Sequence, residues 1–154
     1  MSFSFYHINL IFLIIMLIPS VMFQARKDAE NKDEKIPEYR SRSLEMAERT
    51  GRYGTMFFYV IRLGDIKAES VLSYIIPGLF LATYIILWIL LWNRPGMLRA
   101  VTLSVLPSIM FLSSALIDRN WPLLAFLLLF APAHIAISIR SAEHERKYTS
   151  GISS

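Results

Sequence analysis

Residues 71–139 read VLSYIIPGLFLATYIILWILLW, NRPGMLR, AVTLSVLPSIMFLSSALI, DRN and WPLLAFLLLFAPAHIAISI. The three apolar runs in this stretch, 71–92, 100–117 and 121–139, are separated by only two short polar breaks. A helix rises about 1.5 Å per residue, so each run is long enough to cross a hydrocarbon core about 30 Å thick. The pattern predicts three transmembrane helices, and the last two are antiparallel neighbours because so short a loop joins them.

A fourth apolar stretch opens the chain at residues 1–23. It carries no Lys or Arg, whereas a secretory signal begins with a positively charged segment. Phe23 is also too large for the position that it would occupy before a cleavage site. We therefore expect an uncleaved first transmembrane helix, and a cleaved signal is the alternative.

The composition agrees with a membrane protein. Apolar residues make up 55% of the chain and charged residues 18%, and the apolar residues are concentrated in blocks. The predicted fold is an all-α integral membrane protein with four transmembrane helices in a small bundle. A polar connector, 24–70, separates the first two helices, and 140–154 form a polar tail. The absence of cysteine excludes disulfides, thiolate nucleophiles and cysteine-bound metals.

The connector holds much of the charge, with both signs nearly balanced. Within it, Pro37 is suited to open a short amphipathic helix and Gly51 to end it. The aromatic segment 55–61, TMFFYVI, is too short to span and is expected at the membrane interface or as an extension of the next helix. We interpret the region as a solvated connector, and a docking surface for a partner is the alternative.

The distribution of basic residues predicts the topology. With four spans, the side of the membrane that holds the connector carries eleven Lys and Arg, and the side that holds both termini carries five. Cytoplasmic segments are enriched in Lys and Arg. The sequence therefore predicts a cytoplasmic connector and external termini, in a plasma or inner membrane.

His134 is the only ionisable residue well inside a predicted span. A polar ring in hydrocarbon is costly, so we expect it to face the bundle. It is either a neutral imidazole bonded to a carbonyl or serine, or a proton-carrying group. No second acid or histidine is expected inside the spans to complete a relay. The candidate intramembrane polar site comprises His134, Ser104 and Ser108, whereas Asp118 and Arg119 are interpreted as a solvated turn or a local ion pair.

Small residues indicate where helices pack, because they let backbones approach closely. The candidate packing positions are Gly78, Ala82, Ala131 and Ala136. Pro77, Pro107 and Pro132 lie inside predicted spans, where each removes one helix hydrogen bond. Broken helices line the binding sites of some transporters, although neighbouring helices commonly re-satisfy the backbone around such prolines.

Three classes of function fit these features. The sequence shows no nucleophile elbow, zinc-binding motif or phosphate-binding glycine loop, so we predict no enzyme, no cofactor and no bound metal. The first class is a non-catalytic membrane protein that acts through helix–helix contacts, such as an accessory subunit or an immunity or exclusion factor. The second is a small transporter or channel component that uses His134 and proline-broken helices, and the third is an integral-membrane enzyme. The expected partners are the lipid bilayer and another membrane protein or further copies of the chain, with no nucleic acid.

Overall fold

The computed structural model of the protein describes residues 3–30, 42–63, 71–92 and 97–149. Within these ranges the chain forms five helices and two short strands. In chain order they are β1 (Phe3–Phe5), α1 (His7–Glu30), α2 (Arg42–Val60), β2 (Ile61–Leu63), α3 (Leu72–Leu90), α4 (Met97–Ile117) and α5 (Trp121–Thr149).

Three of these helices are long and apolar enough to cross a membrane: Leu72–Leu90, Met97–Ile117 and the Trp121–His144 part of α5. An apolar run in lipid forms a helix because every backbone polar group must then be bonded within the segment. The predicted all-helical, membrane-embedded character is therefore confirmed. The apolar part of α1, His7–Met22, is shorter, so the predicted count of four spans is not confirmed. The last helix also continues to Thr149, through residues of the predicted polar tail.

The helices surround one apolar core. α5 packs against α2 on one side and α4 on the other, α4 packs against α3, and α1 lies against α3 and α2. The most deeply buried large side chains include Tyr59, Met110, Phe111 and Leu123. The Tyr59 and Phe111 rings meet edge to face with centroids 5.0 Å apart, so the core joins α2 directly to α4.

The bundle has two ends, and the first holds β1, β2 and the α4–α5 turn; we call it the turn end. β1 pairs with β2 in antiparallel register, with Phe5 opposite Ile61, and Ser73 near the start of α3 bonds to Asp118 in the turn. Helices α1, α3 and α5 therefore begin at the turn end, and α2 and α4 finish there. The opposite end holds the last turns of α5, and we call it the tail end. The described residues thus begin at the turn end, with β1, and finish at the tail end, with the last turns of α5.

The structure of α2 also differs from the prediction. It does not stop at Gly51 but continues to Val60, and it runs antiparallel along α5 instead of forming a solvated connector. Gly51 has no side chain, so the backbone of α2 approaches Phe130 closely there. The expected interfacial segment 55–61 forms the last turns of α2 and the start of β2. Pro37 and the rest of 31–41, together with 64–70, lie outside the described residues.

The carbonyl groups at the end of α2 receive hydrogen bonds from other elements. The side-chain amide of Asn120 donates to the Phe58 carbonyl at 2.8 Å, and that of Asn9 donates to the Tyr59 carbonyl at 2.8 Å. The Tyr6 amide donates to the Val60 carbonyl at 2.9 Å. The last carbonyls of a helix have no partner within it. These three bonds satisfy them and fix the depth of α2 relative to α1 and α5.

Candidate functional site: a polar row along the buried face of α2

Glu48, Arg52 and His134 form a first polar group, the histidine cluster. His134 Nδ1 lies 3.1 Å from Glu48 Oε1, and the same carboxylate oxygen accepts a hydrogen bond from Arg52, one turn along α2. An ionised carboxylate only accepts hydrogen bonds, so this contact places a proton on Nδ1. The Glu48 side chain is buried, whereas that of Arg52 is 42% exposed and lies at the margin of the bundle. The His134 ring also stacks on Phe130, which fixes its orientation.

Asp118 is the centre of a second group, the aspartate cluster, at the turn end. Its buried carboxylate forms an ion pair with Arg62 of β2. It also accepts hydrogen bonds from Ser73 Oγ at 2.5 Å and from Ser114 Oγ at 3.1 Å. The Arg62 guanidinium lies over the Tyr6 ring, 4.4 Å from its centroid. A buried charge is tolerated when it is paired and its remaining lone pairs are bonded. The cluster therefore joins β2, α3, α4 and the α4–α5 turn.

Two buried hydroxyl groups lie along α2 between these clusters. Thr55 is 0% exposed and Tyr59 is 1% exposed. Neither Thr55 Oγ1 nor the Tyr59 hydroxyl has a hydrogen-bond partner among the described residues. Most buried polar groups in folded proteins are hydrogen-bonded, so a pair of unpartnered hydroxyls on one helix needs an explanation.

Together these groups form a row on one face of α2, continued by the first residues of β2. Its members, which we call the polar row, are Glu48, Arg52, Thr55, Tyr59 and Arg62. They recur at intervals of four, three, four and three residues, which keeps side chains on a single face of a helix. The row joins the histidine cluster to the aspartate cluster through the interior of the bundle.

The structure places the predicted polar residues in different environments. His134 reaches Glu48 on α2, not a carbonyl or a serine of α4. Ser104 Oγ donates to the Val101 carbonyl and Ser108 Oγ to the Ser104 carbonyl, so both hydroxyls are bonded within α4. The three residues of the candidate polar site are therefore not brought together by hydrogen bonds. The acid beside His134 is Glu48 of α2, which lies outside the candidate spans.

Asp118 and Arg119 do not form the local pair that their adjacency suggested. The partner of Asp118 is Arg62, which lies far from it in the sequence. Arg119 is exposed and adopts a positive φ of 52°, which gives the α4–α5 turn its left-handed corner.

The small residues occupy contacts of different tightness. A Cβ added at Gly78 would lie 3.5 Å from the Phe12 ring of α1, which is an ordinary contact with a side chain. Ala82 is exposed, and Ala131 and Ala136 are half-buried. Among the described glycines, the closest contacts lie instead at Gly51 and Gly54, which the sequence did not indicate as packing positions. A Cβ at Gly51 would lie 2.6 Å from the Phe130 backbone nitrogen, and one at Gly54 would collide with the Phe126 ring.

The prolines do not interrupt their helices. Pro77, Pro107 and Pro132 lie within α3, α4 and α5, each of which is continuous through the proline. Pro77 and Pro107 are buried among neighbouring helices, and Pro132 is exposed. Broken helices of the kind that line some transporter sites do not occur at these positions.

The polar row could have been found in the sequence from its three-to-four-residue spacing. Local hydropathy did not indicate the polar row, because α2 carries enough charge in its first half to resemble a solvated helix. The partners that bury it, His134 and Asp118, are remote in sequence, and no local pattern indicates such pairs. Among the described residues, no group of three His, Asp or Glu side chains converges to hold a metal ion.

Comparison of this chain with protein families, curated proteins and solved structures finds no match.

Proposed function

We propose that the chain is a non-catalytic multi-pass membrane protein that acts through helix–helix contacts, as an accessory subunit of a membrane complex or an immunity or exclusion factor. The observation that supports this proposal is the outward face of α2. Its exposed side chains, which we call the outer α2 face, are Met46, Arg49, Thr50, Tyr53 and Phe57.

The depth of this face in the bundle determines which groups surround it. The opposite side of the same helical turns meets α5 through Glu48 and His134, and through Gly51 and Phe130. Both α5 residues belong to the candidate span Trp121–His144. The outer α2 face consequently lies beside a membrane span, where its guanidinium and hydroxyl groups are poorly solvated by lipid. A partner helix that supplies hydrogen-bond acceptors would satisfy these groups and cover the exposed aromatic rings.

This proposal includes a topology in which α2 runs back through the bundle, giving five passes instead of four. The sequence segments that lead into or out of helices at the tail end, 24–42, 93–99 and 140–154, contain eleven Lys and Arg. Those at the turn end, 1–6, 61–70 and 118–120, contain three. The positive-inside rule then makes the tail end cytoplasmic and the turn end external. The N-terminus is outside and the C-terminus inside.

The proposal is tested by co-purification. A tagged chain is extracted from its host membrane in mild detergent, and the proteins that accompany it are identified and quantified. We expect a membrane protein in fixed ratio with the wild type, and its loss with Arg49→Leu and with Tyr53→Ala. The matched control is Ile11→Ala, because Ile11 is similarly exposed but lies on an apolar face of α1. Purification of the chain alone, with one particle mass for the wild type and all three variants, would contradict the proposal.

A further inference from the structure

The helical part of the polar row extends over about half the thickness of a membrane. Its first and last members on α2, Glu48 and Tyr59, are 11 residues apart. At about 1.5 Å per helical residue they are separated by about 17 Å along the axis of α2, compared with about 30 Å for a hydrocarbon core, and Arg62 of β2 lies beyond this length. This length lies inside the bundle, because α1, α4 and α5 pack around α2.

Each end of the row combines a proton-accepting carboxylate with a compensating arginine. Glu48 is paired with Arg52 and Asp118 with Arg62, so the fixed charges cancel within each cluster. On the side of the tail end, His134 adds an imidazole whose Nδ1 lies 3.1 Å from Glu48 Oε1. Each end is therefore close to neutral at rest; a proton accepted there adds one positive charge, which is lost again when the proton is released.

The middle of the row holds the two unpartnered hydroxyls, Thr55 and Tyr59. Buried polar groups without a protein partner are commonly bonded to internal water. A hydroxyl is both a donor and an acceptor, so it can pass a proton along a chain of water. Apolar side chains of the same shape would have filled these positions without unsatisfied atoms. Water in the row would explain why two hydroxyl groups lie on one face of α2, between two proton-accepting clusters.

We propose that the polar row is a proton pathway, in which water held by Thr55 and Tyr59 connects the histidine cluster with the aspartate cluster. A proton arrives at the carboxylate or imidazole of one cluster. Each oxygen along the row then accepts one proton from one side and releases another to the other side. One proton leaves from the second cluster, no other bond is changed, and no oxidant or reductant is needed. This inference rests on the proposed insertion of α2 in the membrane but not on a partner at the outer α2 face, because the two surfaces lie on opposite sides of the helix.

The pathway is tested with the purified full chain in liposomes that contain a pH-sensitive dye. A potassium diffusion potential drives protons inward, and the initial rate of acidification is measured. We expect the wild type to acidify the vesicles faster than protein-free liposomes. Thr55→Val and Tyr59→Phe keep the shapes of the side chains but remove the hydroxyls. With either variant the rate is expected to fall to that of protein-free liposomes.

Two matched controls carry hydroxyls outside the row. Thr83 Oγ1 is bonded to the Leu79 carbonyl of its own helix, and the hydroxyl of the buried Tyr84 is bonded to Ser20. Thr83→Val and Tyr84→Phe are expected to keep the wild-type rate. A wild-type rate equal to that of protein-free liposomes would overturn the proposal, as would undiminished rates in Thr55→Val and Tyr59→Phe.

Thermal melting in detergent gives a second and independent measurement. If the hydroxyls are dry, replacing them with apolar groups of the same shape removes an unfavourable burial, and the melting temperature rises. If they hold water, their removal breaks hydrogen bonds and the melting temperature does not rise. A higher melting temperature in both Thr55→Val and Tyr59→Phe would therefore contradict the proposal independently of the flux measurement.

Discussion

The partner of His134 sets what this residue does in the bundle. The imidazole donates to Glu48, whose carboxylate is buried and would be left with Arg52 alone if the histidine were lost. A hydrogen bond to a charged group is stronger than one between neutral groups, and a buried carboxylate that loses a donor is destabilised. The residue is therefore expected to stabilise the contact between α2 and α5 whether or not protons move through it.

The replacement of His134 tests this role. His134→Gln keeps a donor and should melt close to the wild type, whereas His134→Leu should cost about 1–2 kcal/mol of unfolding free energy. Both are measured by thermal or denaturant unfolding in detergent. The control is Ser138→Ala, since the Ser138 hydroxyl bonds only to the His134 carbonyl of its own helix. Equal stability of His134→Leu and wild type would show that the Glu48 contact contributes nothing. Normal folding of His134→Gln with loss of proton flux would instead assign the imidazole a proton-carrying role.

At the scale of the helices, the contact between α2 and α5 depends on Gly51. The space for its side chain is occupied by the Phe130 backbone, which cannot move without distorting α5. At Gly78, by contrast, an added methyl group would make only an ordinary contact with the edge of the Phe12 ring. The same Gly→Ala change should therefore destabilise the protein at Gly51 but not at Gly78.

The melting temperatures of the Gly51→Ala and Gly78→Ala variants are compared in detergent. Gly51→Ala should separate α2 from α5 and lower stability. Gly78→Ala should be neutral or should stabilise by up to about 1 kcal/mol, because alanine is the better helix former. Gly78→Leu is expected to weaken the contact with α1, since its larger side chain exceeds the available space. Equal effects of alanine at both glycines would mean that the close approach at Gly51 does not exist in solution.

Gly51 also shows why the sequence predicted some helices better than others. α3, α4 and α5 follow from hydropathy, a property of consecutive residues that any membrane span must show. α2 depends on a surface elsewhere in the chain: Glu48 is buried by His134, and Gly51 is needed because Phe130 lies beside it. Read locally, a glycine after charged residues indicates a helix end, and a glutamate indicates solvent. The candidate site was missed for the same reason, since only one of its residues, His134, stands out against an apolar background.

For the whole molecule, the proposed insertion of α2 as a fifth pass would change the sidedness of the chain. With α2 outside the bundle, an even number of passes places both termini on one side. With α2 beside α5, the termini lie at opposite ends, and Lys and Arg are divided eleven to three between the tail end and the turn end. This division leaves out Arg49 and Arg52, which lie within α2; without them the four-pass arrangement divides Lys and Arg nine to five, which is less uneven. The positive-inside rule is therefore consistent with the proposed five-pass topology.

Single cysteines test this topology, because the chain contains none. Ser2→Cys, Ser43→Cys and Ser150→Cys are treated in intact cells with a thiol reagent that does not cross membranes, and each is labelled again after permeabilisation as a control for reactivity. Five passes predict labelling of position 2 in intact cells, and labelling of 43 and 150 only after permeabilisation. Position 150 separates the two arrangements, since four passes would expose it together with position 2. Labelling of both termini in intact cells would show that α2 does not cross the membrane. The outer α2 face and the polar row would then lose the lipid environment from which their roles were inferred.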